Sequence, residues 1–181
     1  MGTPFSTVYN RFLGKITDDM YMELTPQDTL RDLQNLLVDA LPGFEFPRKN
    51  LMDYEILVEE VPVETPDVEG FTLAAGDSVL VDRSTFAADL SNEEVNIIAI
   101  LMMQAWVQRQ VTSIENIRMK YSGSDFKFTS QANHLSKLMS LLEACKKESH
   151  HLQRLYKRRR VDEDGNIVSN WSSLGVSRFD N

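Results

Sequence analysis

Apolar residues recur at helical spacing in two segments near the start of the chain. In the first segment, steps of three and four separate Phe5, Val8, Tyr9, Phe12, Leu13 and Ile16. The second begins with Thr25, a residue type that caps helices, followed by Pro26 at the first helical position. Its leucines keep the same spacing until the helix breakers Pro42 and Gly43. Each segment is therefore predicted to form an amphipathic helix.

The second half of the chain predicts a buried central helix. Ser91 and Glu94 have the spacing of a capping box, in which each residue hydrogen-bonds the backbone of the other. The segment that follows, residues 92–111, is apolar around nearly its whole circumference, as is typical of a helix that is buried on all sides. We expect Ile98 and Trp106 to be mostly buried.

A short, separate helical piece is predicted next, in residues 112–124, and a long helix over about residues 130–160. The long helix carries a heptad-like seam of Leu135, Leu138, Leu142, Cys145, Ser149, Leu152 and Tyr156. Because polar Ser149 interrupts the seam, we expect the first half of this helix to pack on the bundle and the second half to project.

Residues 44–90 lack helical stripes. Two short β-leaning runs, residues 53–61 and 77–82, are separated by turn sequences, which favours a small β-hairpin or an irregular insertion. The predicted fold class is mainly α: a small helical bundle, residues 1–160, with a β-leaning insertion at about residues 44–90. It includes a long protruding C-terminal helix and an extended C-terminal tail, residues 161–181.

Charge is divided unevenly along the chain. Residues 1–90 contain 6 Lys and Arg against 17 Asp and Glu, a net charge of −11, and residues 91–181 contain 13 against 10, a net charge of +3. The total of −8 and the pI near 4.9 disfavour general nucleic-acid binding, because duplex affinity rests mainly on neutralised phosphates. Such polarity suits association with copies of the same chain, or with another protein, through complementary patches.

Residue types that carry catalysis or bind metals are few. None of His134, His150 and His151 lies three or four residues from another histidine or from Cys145, so no helical face presents two zinc ligands. Cys145 lies on the apolar seam, which is typical of a buried structural thiol. No phosphate-binding loop, dinucleotide fingerprint or nucleophile elbow occurs. We expect no enzyme, no catalytic residue, no metal and no cofactor.

Neither a membrane span nor a secretory signal is expected. The longest apolar run, IIAILMMQAWV, is much shorter than the about 20 residues that cross a bilayer. The N-terminus has no basic segment followed by an apolar run.

Residues 157–160 form an uninterrupted basic run that leads into the acidic residues 162–164. Cations stabilise the C-terminal end of a helix, so the run is interpreted as the end of the long helix. Protein docking and direct nucleic-acid binding are further interpretations of the same run. An EF-hand calcium loop is disfavoured, because Gly165 and Ser173 do not fall where that loop needs glycine and glutamate.

The tail beyond this run holds large apolar residues that disordered tails usually lack: Ile167, Val168, Trp171, Leu174, Val176 and Phe179. An apolar terminus of this kind either folds back on its own domain or inserts into a partner. We favour the partner, because the long helix is expected to carry the tail away from the bundle.

The segment KYSGSDFKFTSQANHLSKLMSLLEACKKESHHLQRLYKRRR, residues 120–160, resembles part of the head–tail connector (adaptor, or head-completion) proteins of tailed bacteriophages. In layout the resemblance covers residues 1–43 and 91–181, and the insertion at residues 44–90 departs from the simplest members. It implies a structural virion protein of the neck: a homo-oligomeric ring, commonly twelve-fold, that sits beneath the portal, contacts a tail or neck protein below, and continues the DNA channel.

The resemblance also implies that the C-terminal arm docks on the portal. The residues to which this role carries over are Arg158, Arg159, Arg160, Ile167, Val168, Trp171, Leu174 and Phe179. DNA would pass through the channel without specific binding. The alternative is a cellular, all-α nucleic-acid-binding or regulatory protein that uses the basic run at residues 157–160.

Overall fold

The computed structural model describes residues 2–16, 20–62, 78–120, 128–161 and 167–168, and the fold is mainly α, as predicted. The helices are α1 Phe5–Leu13, α2 Met20–Glu23, α3 Pro26–Ala40, α4 Asn92–Lys120 and α5 Phe128–Arg158, with a 3-10 turn at Leu41–Gly43. The strands are β1 Tyr54–Glu55, β2 Val58–Pro62, β3 Ser78–Asp82, β4 Thr85–Phe86, β5 Arg160–Val161 and β6 Ile167–Val168.

The central helix is α4, and helices α1, α3 and α5 all pack on it. Its predicted capping box forms: the Ser91 amide donates to Glu94 Oε2 at 2.7 Å, and the Glu94 amide donates to Ser91 Oγ at 3.3 Å. Ile98 is fully buried in the main core, and Trp106 is half-buried where the main core meets a second cluster. The prediction of a buried central helix is confirmed.

Residues 112–120 of the predicted short helical piece are helical, but they continue α4, which runs without a break to Lys120. Val111 and Ile114 extend the apolar contact between α4 and α5, where they pack with Leu135. This side-chain packing supports helical backbone beyond the point at which the sequence becomes polar.

Helix α5 runs antiparallel to α4, and the half that packs on the main core is the opposite of the one predicted. Ser149, Gln153 and Tyr156, in its second half, are each only 2% exposed. Its first half packs with the end of α4 in a second cluster to which, among the described residues, only α4 and α5 contribute. The main core is therefore covered by the second half of α5, and the first half packs on α4 alone among the described residues.

Helix α3 begins as predicted. Thr25 is the N-cap, and its hydroxyl oxygen accepts a hydrogen bond from the Asp28 amide at 3.1 Å, with Pro26 in the first turn. Its acidic side chains then face α4, where Arg109 pairs with Asp32 at 2.7 Å and with Asp39 at 3.1 Å.

The insertion contains two small antiparallel sheets. Strand β1 pairs with β4, and β2 pairs with β3 in a register that joins Val58 to Asp82 and Pro62 to Ser78. The predicted β-hairpin is confirmed, but the ends of the insertion contribute to the main core, which the sequence pattern did not indicate: Phe44, Leu51 and Phe86 are buried.

Ile98→Ala is expected to destabilise the protein by about 2–5 kcal/mol, because it leaves a cavity at a fully buried site on α4. The matched control is Met139→Ala on α5, a side chain that is 48% exposed, which should change the free energy of unfolding by about 0.5 kcal/mol or less. Denaturant unfolding followed by far-UV circular dichroism measures both. Equal effects of the two changes would contradict the placement of α4 at the centre.

Candidate docking surfaces

A buried hydrogen bond fixes the end of α5 to the start of α4. The Tyr156 hydroxyl donates to Glu94 Oε1 at 2.6 Å, and both side chains are almost wholly shielded from solvent. The other carboxylate oxygen accepts from the amide and the hydroxyl of Ser91, at 2.7 and 2.9 Å. The Lys49 ammonium lies 3.6 Å from the same oxygen. The buried charge is thus paired and hydrogen-bonded, as a buried carboxylate requires.

A second buried polar group, Gln153, joins α5 to the segment after α3. Its Oε1 accepts from the Glu45 amide at 2.7 Å, and its Nε2 donates to the Gly43 carbonyl at 3.1 Å and to Ser149 Oγ at 3.2 Å. The polar interruption of the seam at Ser149 therefore lies where residues 43–45 contact α5, and it strengthens the contact.

Arg48 caps the C-terminal end of α5. Its Nη2 donates to the carbonyl oxygens of Tyr156 and Arg159, each at 2.6 Å, and its guanidinium carbon lies 4.2 Å from the centroid of the Tyr156 ring. The last carbonyl groups of a helix have no hydrogen-bond donor within the helix, so a cation that donates to them stabilises the helix end. The helix end predicted at the basic run is confirmed, since α5 ends at Arg158.

The structure places the residues of the basic run in different environments. The Lys157 ammonium lies over the Phe46 ring, 3.8 Å from its centroid. Arg158 is exposed, whereas Arg159 pairs with Glu93 at 2.8 Å, and Arg160 lies in β5. Of the three arginines predicted to dock on a partner, Arg159 thus has a carboxylate partner within its own chain.

Two short strands, β5 and β6, pair where the predicted docking tail begins. Arg160 pairs with Val168, and Val161 pairs with Ile167. Trp171, Leu174 and Phe179 lie outside the described residues, so their predicted contact with a partner stays a prediction.

The electrostatics of the Glu94 site follow from its contacts. Burial acts to raise the pKa of the Glu94 carboxyl, but the hydrogen bonds from Tyr156 and Ser91 and the charge of Lys49 together lower it below its ordinary value. Burial, and then the hydrogen bond to Glu94 and its charge, raise the pKa of Tyr156, a rise that Arg48 partly offsets. Glu94 is therefore held as a carboxylate and Tyr156 as a neutral donor.

Reactive chemistry has little support in the described part of the chain. Cys145 is buried, and burial followed by the nearby charge of Glu148 raises the pKa of its thiol, which disfavours a thiolate. Within residues 2–16, 20–62, 78–120, 128–161 and 167–168, no group of three His, Cys, Asp or Glu side chains is arranged to hold a metal ion. The helices described there include none that is long and apolar enough to cross a bilayer.

Two exposed surfaces emerge that sequence patterns did not single out. The first, the outer stripe of α5, runs along the helix at steps of three and four and is exposed throughout: Lys137, Ser140, Ala144, Lys147, His151, Arg154, Leu155 and Arg158. The second, the ribbon, consists of β2 and β3 with the preceding residues 55–57, and it exposes Ile56, Leu57, Val58 and Val61. Both combine charge with apolar side chains.

No family model, curated protein or solved structure matches this chain. A function therefore has to be inferred from the surfaces and contacts described above.

Tyr156→Phe is expected to destabilise the protein by about 1.5–3 kcal/mol, because it removes a hydrogen bond to a buried carboxylate and keeps the ring. Tyr54→Phe is the matched control, because the Tyr54 hydroxyl has no hydrogen-bond partner among the described residues, and it should change stability by about 0.5 kcal/mol or less. Urea unfolding at pH 7 measures both. A Tyr156→Phe protein as stable as the wild type would contradict the role assigned to this bond.

Stability is expected to fall in acid partly through Glu94. Its pKa is lower in the folded than in the unfolded chain, so its contribution is complete above the ordinary value of 4.5 and is lost as the pH falls through the folded-state pKa. Glu94→Gln should lower stability at pH 7 and flatten the pH dependence below about pH 4.5. Glu55→Gln, at an exposed position on β1, is the control. Parallel stability-versus-pH curves for Glu94→Gln and the wild type would contradict this assignment.

Proposed function

We propose that the protein is a structural virion protein: a head–tail connector that forms a ring beneath the portal of a tailed bacteriophage, joins the capsid to the tail and continues the DNA channel. The observation that carries the proposal is the anchored end of α5. Tyr156, Gln153 and Arg48 hold this end against the bundle, and the C-terminal tail starts directly beyond it. A connector needs a tail that leaves the body at a defined position, so that it reaches the same site on each portal subunit.

The composition of the tail fits docking on the portal. Arg158 is exposed at the end of α5 and is available for carboxylates on a partner. Trp171 and Phe179 are aromatic anchors of the kind that fill pockets at interfaces. The tail has too few apolar residues to form a core by itself, so a partner offers them the burial that they need.

The charge of the N-terminal half fits a protein that surrounds DNA without binding it. Residues 1–90 contain 17 Asp and Glu against 6 Lys and Arg. Acidic side chains of this half that lie outside the ribbon and face the channel would repel phosphates and let DNA pass. The partners in this proposal are further copies of the chain, commonly twelve, the portal, and a tail or neck protein below.

The second candidate is a nucleic-acid-binding regulator, and the outer stripe of α5 favours it. Lys137, Lys147, Arg154 and Arg158 all lie on this stripe. A helix that bound duplex DNA through these cations would lose affinity steeply as salt rises, with a slope near 0.9 per phosphate contact. A connector should show weak duplex affinity with little dependence on salt.

Truncation after Arg160 is expected to abolish attachment to DNA-filled heads and to leave the bundle folded. Among the residues whose burial the structure describes, the core residues all precede this point, and the last of them is Tyr156. Heads assembled without the protein are mixed with the truncated chain, and bound protein is measured after sedimentation. The matched control is a full-length chain with Ser172→Ala and Ser173→Ala, which should bind as the wild type does.

A triple variant, Trp171→Ala, Leu174→Ala and Phe179→Ala, removes the apolar anchors and keeps the length of the tail. It should also fail to attach. A truncated chain that joined heads normally, or that failed to fold, would contradict the role of the tail. Electron microscopy that placed a single copy off the symmetry axis of the particle would contradict the ring.

A further inference from the structure

We propose that the ribbon of one copy packs across the outer stripe of α5 of the next copy, in a head-to-tail contact. This inference rests on the proposed function, because it supplies the interface from which a ring is built. It names the two surfaces of this chain that meet.

The ribbon leaves apolar side chains exposed in its described part. A two-stranded sheet is marginally stable in water unless a further strand or a helix packs on it. Val58 and Val61 fall on opposite faces of β2, and they are 40% and 37% exposed. Ile56, just before β2, is 50% exposed. Since apolar side chains are exposed on both faces of the ribbon, contacts with its own body cannot cover all of them, and a second molecule can.

The outer stripe of α5 is the complementary surface. Leu155 and Ala144 provide apolar area between the four cations of the stripe, and Leu155 is 37% exposed. Among the described residues, no carboxylate lies within salt-bridge distance of Lys137, Lys147, Arg154 or Arg158. The stripe thus presents cations that have no charge partner in the described part of their own chain.

Charge selects the ribbon of a second copy as the occupant. Residues 53–82 contain nine acidic residues and no Lys or Arg. Glu55 is exposed beside the apolar side chains of the ribbon, whereas Glu59 pairs with Arg83. Helix α5 carries six Lys and Arg against two Glu. Opposite charges across an interface steer association and disfavour wrong partners. Duplex DNA matches the stripe in charge alone, whereas the ribbon matches it in charge and in apolar character.

The geometry makes the contact heterologous. The ribbon is formed by β2 and β3, whereas the outer stripe lies on α5, so the two surfaces that meet are different. Two different surfaces that meet head to tail generate a closed ring when the rotation between copies closes, and an open filament when it does not.

Cross-linking tests the contact directly. In a Cys145→Ala background, one variant carries Ile56→Cys and another carries Leu155→Cys, and a short bis-maleimide reagent is applied at low ionic strength. A mixture of the two single variants should give dimers, and a chain with both cysteines should give a ladder of higher oligomers. The control pairs Ile56→Cys with Ser113→Cys, an exposed position on α4, and should give at least about tenfold less cross-linked product.

Charge reversal provides the second arm. Asp53→Lys with Glu55→Lys reverses the exposed charges at the start of the ribbon, and Lys147→Glu with Arg154→Glu reverses the stripe. Each reversed protein should associate at least about tenfold more weakly than the wild type in sedimentation experiments, because like charges then face each other. An equal mixture of the two should regain association, since copies that alternate around the ring restore every opposite-charge contact. This rescue also shows that both variants are folded.

The outcomes separate this inference from the proposed function. Suppose that particles carry rings but cross-linking is absent, or that the charge variants associate normally. Either result would overturn the interface and leave the proposed connector function standing. Loss of steeply salt-dependent duplex binding on stripe reversal, without rescue by the ribbon variant, would overturn both and favour the nucleic-acid-binding candidate. Absence of cross-linked dimers in the mixture of the Ile56→Cys and Leu155→Cys variants would overturn the interface whether or not rings are present.

Discussion

The rest of the structure depends on how the buried carboxylate of Glu94 is satisfied. A charge shielded from water is costly unless hydrogen bonds and an opposite charge replace its hydration. Here the replacements come from Ser91 at the start of α4, Tyr156 at the end of α5 and Lys49 in the segment after α3. Three regions distant in the chain must therefore meet at one point, and removing any one leaves a buried charge with fewer partners.

This requirement explains the orientation of the helices. With the end of α5 held at the start of α4, the two long helices run antiparallel. The segment after α3 passes over the same end of α5, where Gln153 and Arg48 bind it through further hydrogen bonds. The stability of the bundle is thus concentrated at one end of α5, and the opposite end of the hairpin relies on the smaller cluster around Val107 and Leu142.

Local patterns predicted most of the helices, the capping box at Ser91 and the end of α5, because the periodicity, caps and charges that define them lie within a few residues of one another. Contacts between distant residues were not predictable in this way. Gln153 contacts residues about a hundred positions earlier in the chain. Ser149 interrupts the apolar seam in the sequence, but in the structure its hydroxyl accepts a hydrogen bond from Gln153. The prediction that the second half of α5 projects was wrong for this reason. The position of the basic run at the helix end was predictable. The pairing of Arg159 with Glu93 and the contact of Lys157 with the Phe46 ring were not.

The contrast between the anchored end of α5 and the exposed ribbon bears on assembly. Polar contacts at the anchored end are saturated within one chain, so they give that chain its shape and offer little to a partner. The ribbon and the outer stripe have the opposite character, since apolar area and charge are left exposed there. An interface that draws on such surfaces leaves the fold of each copy unchanged and adds support where a two-stranded sheet has least of its own. In the proposed assembly, the interface would support the ribbon, and the tail that starts beyond Arg160 would serve a different partner.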